Sequence, residues 1–118
     1  MLNISCSKNI RGRCVVADKS FIHGEIIETA PILLVEKKHN KHLVNYTYEW
    51  HGKKIYALVL GYGSVYNHSY KPNANFYWDY SNQQMIYMAI KNIEIGEEIT
   101  VNYNGVANDK TPLWFNVK

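Results

Sequence analysis

The sequence predicts a mostly β fold, and three observations carry that prediction. Apolar runs are short, rich in β-branched residues and bounded by Gly, Pro or Asn turns. Residues 76–90 alternate in the manner of a two-stranded hairpin. Nowhere do apolar residues recur at the three- and four-residue spacing of a long amphipathic helix.

The elements follow in order. Cys14-Val15-Val16-Ala17 reads as a strand, then Glu25-Ile26-Ile27-Glu28 after His23-Gly24, then Ile32-Leu33-Leu34-Val35 after Ala30-Pro31. From Lys37 to Lys54 charges and histidines cluster, the mark of a solvated loop or a short helical turn. Tyr46, Tyr48 and Trp50 then recur at every second position, as on a strand with one aromatic face. Lys54–Leu60 is a further buried run. The hairpin turns at Ser81-Asn82-Gln83, with Phe76, Trp78 and Tyr80 on one face. The last strand, Glu98–Tyr103, follows a turn at Ile95-Gly96-Glu97.

With 118 residues, 47% of them hydrophobic, a single domain over 1–118 is expected, its core at about 8–104 and a short tail at 105–118. Ten tyrosines mean that many rings must bury their bodies while satisfying a hydroxyl. A formal charge of +3 falls short of the basic footprint of a nucleic-acid binder. Cys6 and Cys14 form neither a metal spacing nor a disulfide framework, and fit two thiols in a reducing compartment. No window resembles a signal peptide or a membrane span, so a soluble, intracellular protein is expected, in the cytoplasm or a host nucleus.

The segment Asn67-His68-Ser69-Tyr70-Lys71-Pro72-Asn73 sets polar side chains around a proline between two apolar strands. A plain turn would explain the residue types. A polar knot beside buried strands must also satisfy its own groups, and such knots tend to serve sites.

Asn67-His68-Ser69 with Pro72-Asn73 resembles the NHSxxPN signature of SET domains. Gly96-Glu97-Glu98-Ile99-Thr100-Val101-Asn102-Tyr103 resembles the family's GEE(L/I)T-x-x-Y motif. Gly12-Arg13-Cys14-Val15-Val16-Ala17 is similar to its GxGVxA loop, and Phe21 to Glu25 to the F-x-x-G-E turn that follows. The ordered combination spans residues 12 to 103. The resemblance is to a minimal SET core, as in small viral and bacterial members, without the cysteine-rich segment or the flanking amino-terminal domain of larger ones.

This resemblance implies a β-clip fold of several small sheets with a carboxy-terminal pseudoknot. It implies a protein-lysine N-methyltransferase in which S-adenosylmethionine and a substrate lysine meet in a narrow channel from opposite faces. The lysine amine, with a reference pKa of about 10.4, must be held neutral there by desolvation and nearby positive charge. Positioning would supply most of the remaining acceleration. No metal is needed, and the His39/His42 pair has no third ligand near it.

Tyr103 is carried over as the catalytic tyrosine, touching donor and amine. Tyr46 or Tyr48 would supply a second channel tyrosine, Tyr46 being preferred; a plain hydrophobic face is the alternative. Tyr62, between Gly61 and Gly63, and Val101 complete the expected substrate channel. Arg13, Cys14, Val15, Asn67 and His68 are the expected donor contacts, largely through main chain. Trp114 or Phe115 would stack on the adenine, or simply anchor the tail. Glu97 and Glu98 are expected to shape a turn and tie the pseudoknot rather than form an acid–base pair.

Three positions depart from the family pattern. Cys14 stands at a glycine position, Asn102 at an aspartate position, and Val101 at one often held by Phe or Tyr. The expected partner is a lysine-bearing protein or peptide, with histones among the candidates. Homodimerisation is a hypothesis for how so small a core gains a lid. Direct nucleic-acid binding and membrane association are not expected. Two other readings stay open: a catalytically silent SET module that binds a protein or peptide, and a small aromatic-rich nucleic-acid binder using Lys37, Lys38, Lys41, Lys53 and Lys54.

Overall fold

The structure, a computed structural model, describes residues 2–6, 13–36, 47–51, 55–63 and 65–103. Among these the chain forms nine strands and no helix: β1 Leu2–Cys6, β2 Arg13–Ala17, β3 Ile26–Glu36, β4 Thr47–His51, β5 Ile55–Val59, β6 Asn67–His68, β7 Ala74–Asp79, β8 Gln84–Ala89 and β9 Glu98–Val101. They make a four-stranded sheet, β1-β2-β9-β6, and a five-stranded sheet, β4-β5-β3-β8-β7. The mostly β architecture expected from the sequence is therefore present. No helix of the described residues is long and apolar enough to cross a membrane.

One sequence reading needs correction. Glu25–Glu28 and Ile32–Val35 were expected as two strands separated at Ala30-Pro31, whereas β3 runs unbroken for 11 residues. Pro31 is tolerated because β3 changes partner there. Residues 26–31 pair with β8 and residues 32–36 pair with β5. A missing N–H is cheapest at such a junction. The Pro31 carbonyl still accepts from Leu60 N–H at 2.9 Å. The hairpin of β7 and β8 forms as expected, pairing Ala74 with Ala89 through Asp79 with Gln84.

Aromatic contacts bend the larger sheet. Its two edge strands are β4 and β7, yet Tyr48 of β4 packs edge-on to Phe76 of β7 at 5.0 Å between ring centroids. Trp50 meets Tyr80, just past β7, at 4.8 Å. The sheet must curl for its edges to meet, and the curl encloses Phe76, Met85 and Tyr87, all fully buried. Offset and edge-to-face pairs of this kind add about 0.5–1.5 kcal/mol each beyond area burial.

The smaller sheet meets this core through β9, whose Ile99 and Val101 are fully buried. Its parallel partner β6 is only two residues long. So short a ladder holds little by itself, and side-chain amides reinforce it. Asn73 Nδ2 donates to Glu97 Oε2 at 2.9 Å and to the Glu98 carbonyl at 2.8 Å, while its Oδ1 accepts from the buried Thr100 N–H at 2.9 Å. Asn73→Ala strands that N–H and should lower stability by about 2–3 kcal/mol in urea unfolding. An unchanged midpoint would show that these bonds add nothing.

Candidate active site

β6 and β9 run side by side, Asn67 opposite Thr100 and His68 opposite Val101. Asn67 Nδ2 donates to the Arg13 carbonyl at 3.0 Å and to Glu98 Oε2 at 2.8 Å, tying β6 to both β2 and β9. Ser69 N–H donates to the Val101 carbonyl at 2.9 Å. The polar knot read from the sequence is thus a clasp on the last strand. Glu97 and Glu98 act in it as acceptors. Asn102, which follows β9, is fully buried, and a neutral amide there is less costly to desolvate than the aspartate it replaces.

The clasp fixes Tyr103 from two sides. Its N–H donates to His68 Nδ1 at 2.9 Å, which requires a neutral imidazole with the proton on Nε2. Its hydroxyl donates to the Tyr66 carbonyl at 2.6 Å. The ring lies 5.2 Å from the His68 ring, which in turn meets Tyr70 edge-on at 4.5 Å. Tyr103 is half-buried, and its hydroxyl is directed at protein rather than at solvent.

Beyond Tyr103 the phenols continue inward. Tyr66 packs against Tyr87 at 4.5 Å, Tyr87 donates its hydroxyl to that of Tyr48 at 3.1 Å, and Tyr48 donates to the Gly63 carbonyl at 3.0 Å. Gly63 has no room for a side chain, since a Cβ there would stand 2.1 Å from Val59 Cγ1. Burial pushes the pKa values of Tyr48, Tyr66 and Tyr87 well above that of an ordinary phenol. The Glu28 charge adds to the shift at all three. These hydroxyls are proton donors throughout the neutral range and supply no phenolate base.

The remaining sequence-predicted positions fall around this cluster. Tyr62 packs against the core, with its hydroxyl 3.3 Å from the Leu2 carbonyl. Val101 is buried in β9. Arg13 is exposed at the start of β2, and Cys14 and Val15 are buried. Cys14 pairs with Ser5 of β1, and among the described residues only Gln83 has a positive φ without being glycine. The cysteine at a glycine position therefore brings no left-handed strain. Tyr46, Trp114, Phe115, His39, His42 and the tail at 105–118 lie outside the described residues.

Sequence reasoning missed three members of the cluster. Tyr66 directly precedes the Asn67-His68-Ser69 motif, and Tyr87 shares the inward alternation of Met85 and Ala89, so both left a signal. Glu28 did not. Its Oε1 accepts the Tyr66 hydroxyl at 2.7 Å and its Oε2 accepts the Tyr62 N–H at 3.0 Å.

The SET domain family model matches residues 12–104. A histone-lysine N-methyltransferase of Schizosaccharomyces pombe, H3 lysine-37 specific, is 32% identical over 112 residues, covering 89% of this chain and 71% of that protein. Among solved structures, a Plasmodium falciparum protein described as a histone methyltransferase superposes with a TM-score of 0.75 at 32% identity. That match covers 87% of this chain and 96% of the other. A chain of Chaetomium thermophilum Polycomb Repressive Complex 2, a humanized mutant bound to an inhibitor, superposes with a TM-score of 0.67 at 19% identity, covering 87% and 15%. At that identity the likeness bears on the fold alone. The chain belongs to the SET domain family. By class it is a protein-lysine N-methyltransferase.

The enclosed phenols give a pH signature. A raised phenol pKa in the folded state contributes stability that is present below the unfolded value, about 10, and is lost as pH rises above it. Phenolate absorbance should therefore show Tyr48, Tyr66 and Tyr87 among the ten tyrosines ionising only together with unfolding. Smooth titration of all of them in the folded protein would contradict the enclosure.

Proposed function

We propose that this chain transfers a methyl group from S-adenosylmethionine to the side-chain amine of a histone lysine, with the Tyr103 hydroxyl at the point of transfer. The supporting observation is the double restraint on Tyr103, its N–H on His68 and its O–H on the Tyr66 carbonyl. A histone is proposed as substrate because the Schizosaccharomyces pombe relative is named for a histone H3 lysine.

The residues around Tyr103 fit the donor's chemistry. The Asn67 amide nitrogen is committed to Arg13 and Glu98, while its Oδ1 receives no hydrogen bond from a described residue. That oxygen suits the donor's ammonium group. The exposed Arg13 side chain suits its carboxylate. The rings of His68, Tyr70 and Tyr103 suit a cation nearby. When bound, S-adenosylmethionine supplies a methyl carbon on a positively charged sulfur.

The chain's own part is positioning and desolvation. A phenol that donates to a carbonyl keeps its oxygen as an acceptor, so Tyr103 can receive an N–H of the substrate amine and aim the nitrogen's lone pair. The Tyr48, Tyr66 and Tyr87 hydroxyls stay protonated and are bonded internally, so none of them takes the lysine proton. The amine must arrive neutral or lose its proton to water, and a dry aromatic wall favours the neutral form.

Tyr103→Phe keeps the ring and deletes one hydroxyl. The variant should fold, bind the donor and lose about 100-fold or more in methyl transfer to a histone H3 peptide in a radiolabelled-donor assay. Full activity would remove Tyr103 from the transfer point. Donor titration by calorimetry separates this reading from that of a silent peptide-binding module, which would bind the donor weakly or not at all.

A further inference from the structure

Glu28 enters the aromatic cluster through an irregularity in β3. The register against β8 shifts between Ile26 and Glu28, Ile26 lying opposite Met88 and Glu28 opposite Tyr87. Ile27 is buried, and so are Ala30 and Ile32 beyond the shift. The bulge therefore sends two successive side chains inward, and the second is a carboxylate.

Both donors to that carboxylate belong to one turn. Tyr62 gives its N–H and Tyr66 its hydroxyl. The turn begins where Leu60 N–H meets the Pro31 carbonyl, and it closes through Val65 N–H on the Tyr62 carbonyl at 2.9 Å. Gly61 lies within it at φ +62°, and a Cβ there would stand 2.2 Å from Glu28 Oε2. Carboxylate and turn fit together only with glycine at that position. The same turn presents the two carbonyls on which the cluster's outer hydroxyls rest, Gly63 for Tyr48 and Tyr66 for Tyr103.

We infer that Glu28 is a positioning residue for methyl transfer: by holding Tyr62 and Tyr66 it fixes the Tyr66 carbonyl that orients the Tyr103 hydroxyl. The inference rests on the proposed place of Tyr103 at the transfer point. Glu28 itself touches neither reactant. Its effect passes through one side chain, since Tyr66 is bonded to Glu28 at its hydroxyl and to Tyr103 at its main chain.

A methionine at position 28 keeps the unbranched shape but offers neither donor a carboxylate oxygen, whereas a glutamine could still donate its NH2 to the Tyr66 hydroxyl. Tyr66→Phe removes the other half of the bond and leaves the carbonyl in place. The full chain, S-adenosylmethionine and a lysine-bearing histone H3 peptide serve as the assay. Glu28→Met and Tyr66→Phe should each lower kcat about tenfold or more while both KM values stay within about twofold. Their double variant should be no slower than the slower single one, since both cut the same link. A fluorine resonance from 3-fluorotyrosine at position 103 should shift in both variants, with or without peptide.

A purely structural carboxylate would lower the melting temperature and leave kcat alone. If both folded variants keep kcat within about twofold of wild type while Tyr103→Phe is inactive, or if the fluorine resonance does not move, the inference is overturned. Failure of the wild-type chain to methylate the peptide would instead strike the proposed function. The fluorine resonance would still decide whether Glu28 holds the phenol.

Discussion

Two asparagine amides determine where the carboxy-terminal strand lies, and the rest of the site follows from them. A parallel ladder of two residues, Asn67–His68 beside Thr100–Val101, has too few main-chain bonds to hold a strand in a single register. Asn67 and Asn73 supply the missing bonds from either end of the knot, to Arg13, Glu97, Glu98 and Thr100. Each joins segments far apart in sequence, so the bonds become favourable only once the sheets have assembled. With β9 held, His68 reaches the Tyr103 amide, and the phenol at the end of that strand has one place to go.

What lies there is a wall of tyrosines, and its chemistry is that of fixed dipoles. Burying a hydroxyl without a partner would cost about 1–3 kcal/mol, and Tyr48, Tyr66, Tyr87 and Tyr103 all avoid that cost. Their acceptors are main-chain carbonyls, another phenol and the Glu28 carboxylate. Because burial holds three of these phenols protonated, in the proposed function the wall would orient and dry a reactant without exchanging protons with it. That suits a reaction whose difficulty is alignment and desolvation of an amine. It does not suit a mechanism in which one of these three phenols is itself the nucleophile, since they stay protonated.

Much of this was legible in the sequence. Short β-branched runs, the 76–90 hairpin and the ordered motifs lie where the strands and the clasp are found. Local patterning failed where tertiary partners changed the local rule. Pro31 marks an exchange of strand partners, which leaves no trace in periodicity. Strand β1, by contrast, carries the period-two signal, with Leu2, Ile4 and Cys6 alternating with Asn3 and Ser5, and sequence reasoning missed it; it is placed by pairing with β2. Glu28 is hidden by the bulge, because strict alternation with Ile27 inward sends residue 28 outward. Tyr66 and Tyr87 were visible as inward residues, but ten tyrosines gave no means of choosing among them.

The central proposal is that Tyr103, backed by these phenols, stands where a lysine amine meets a methyl donor. Mass spectrometry of a histone H3 peptide incubated with the chain and a deuterated-methyl donor tests it most directly. The account predicts label on a lysine nitrogen and nowhere else. Label on another residue type, or none at saturating donor and peptide, would contradict it.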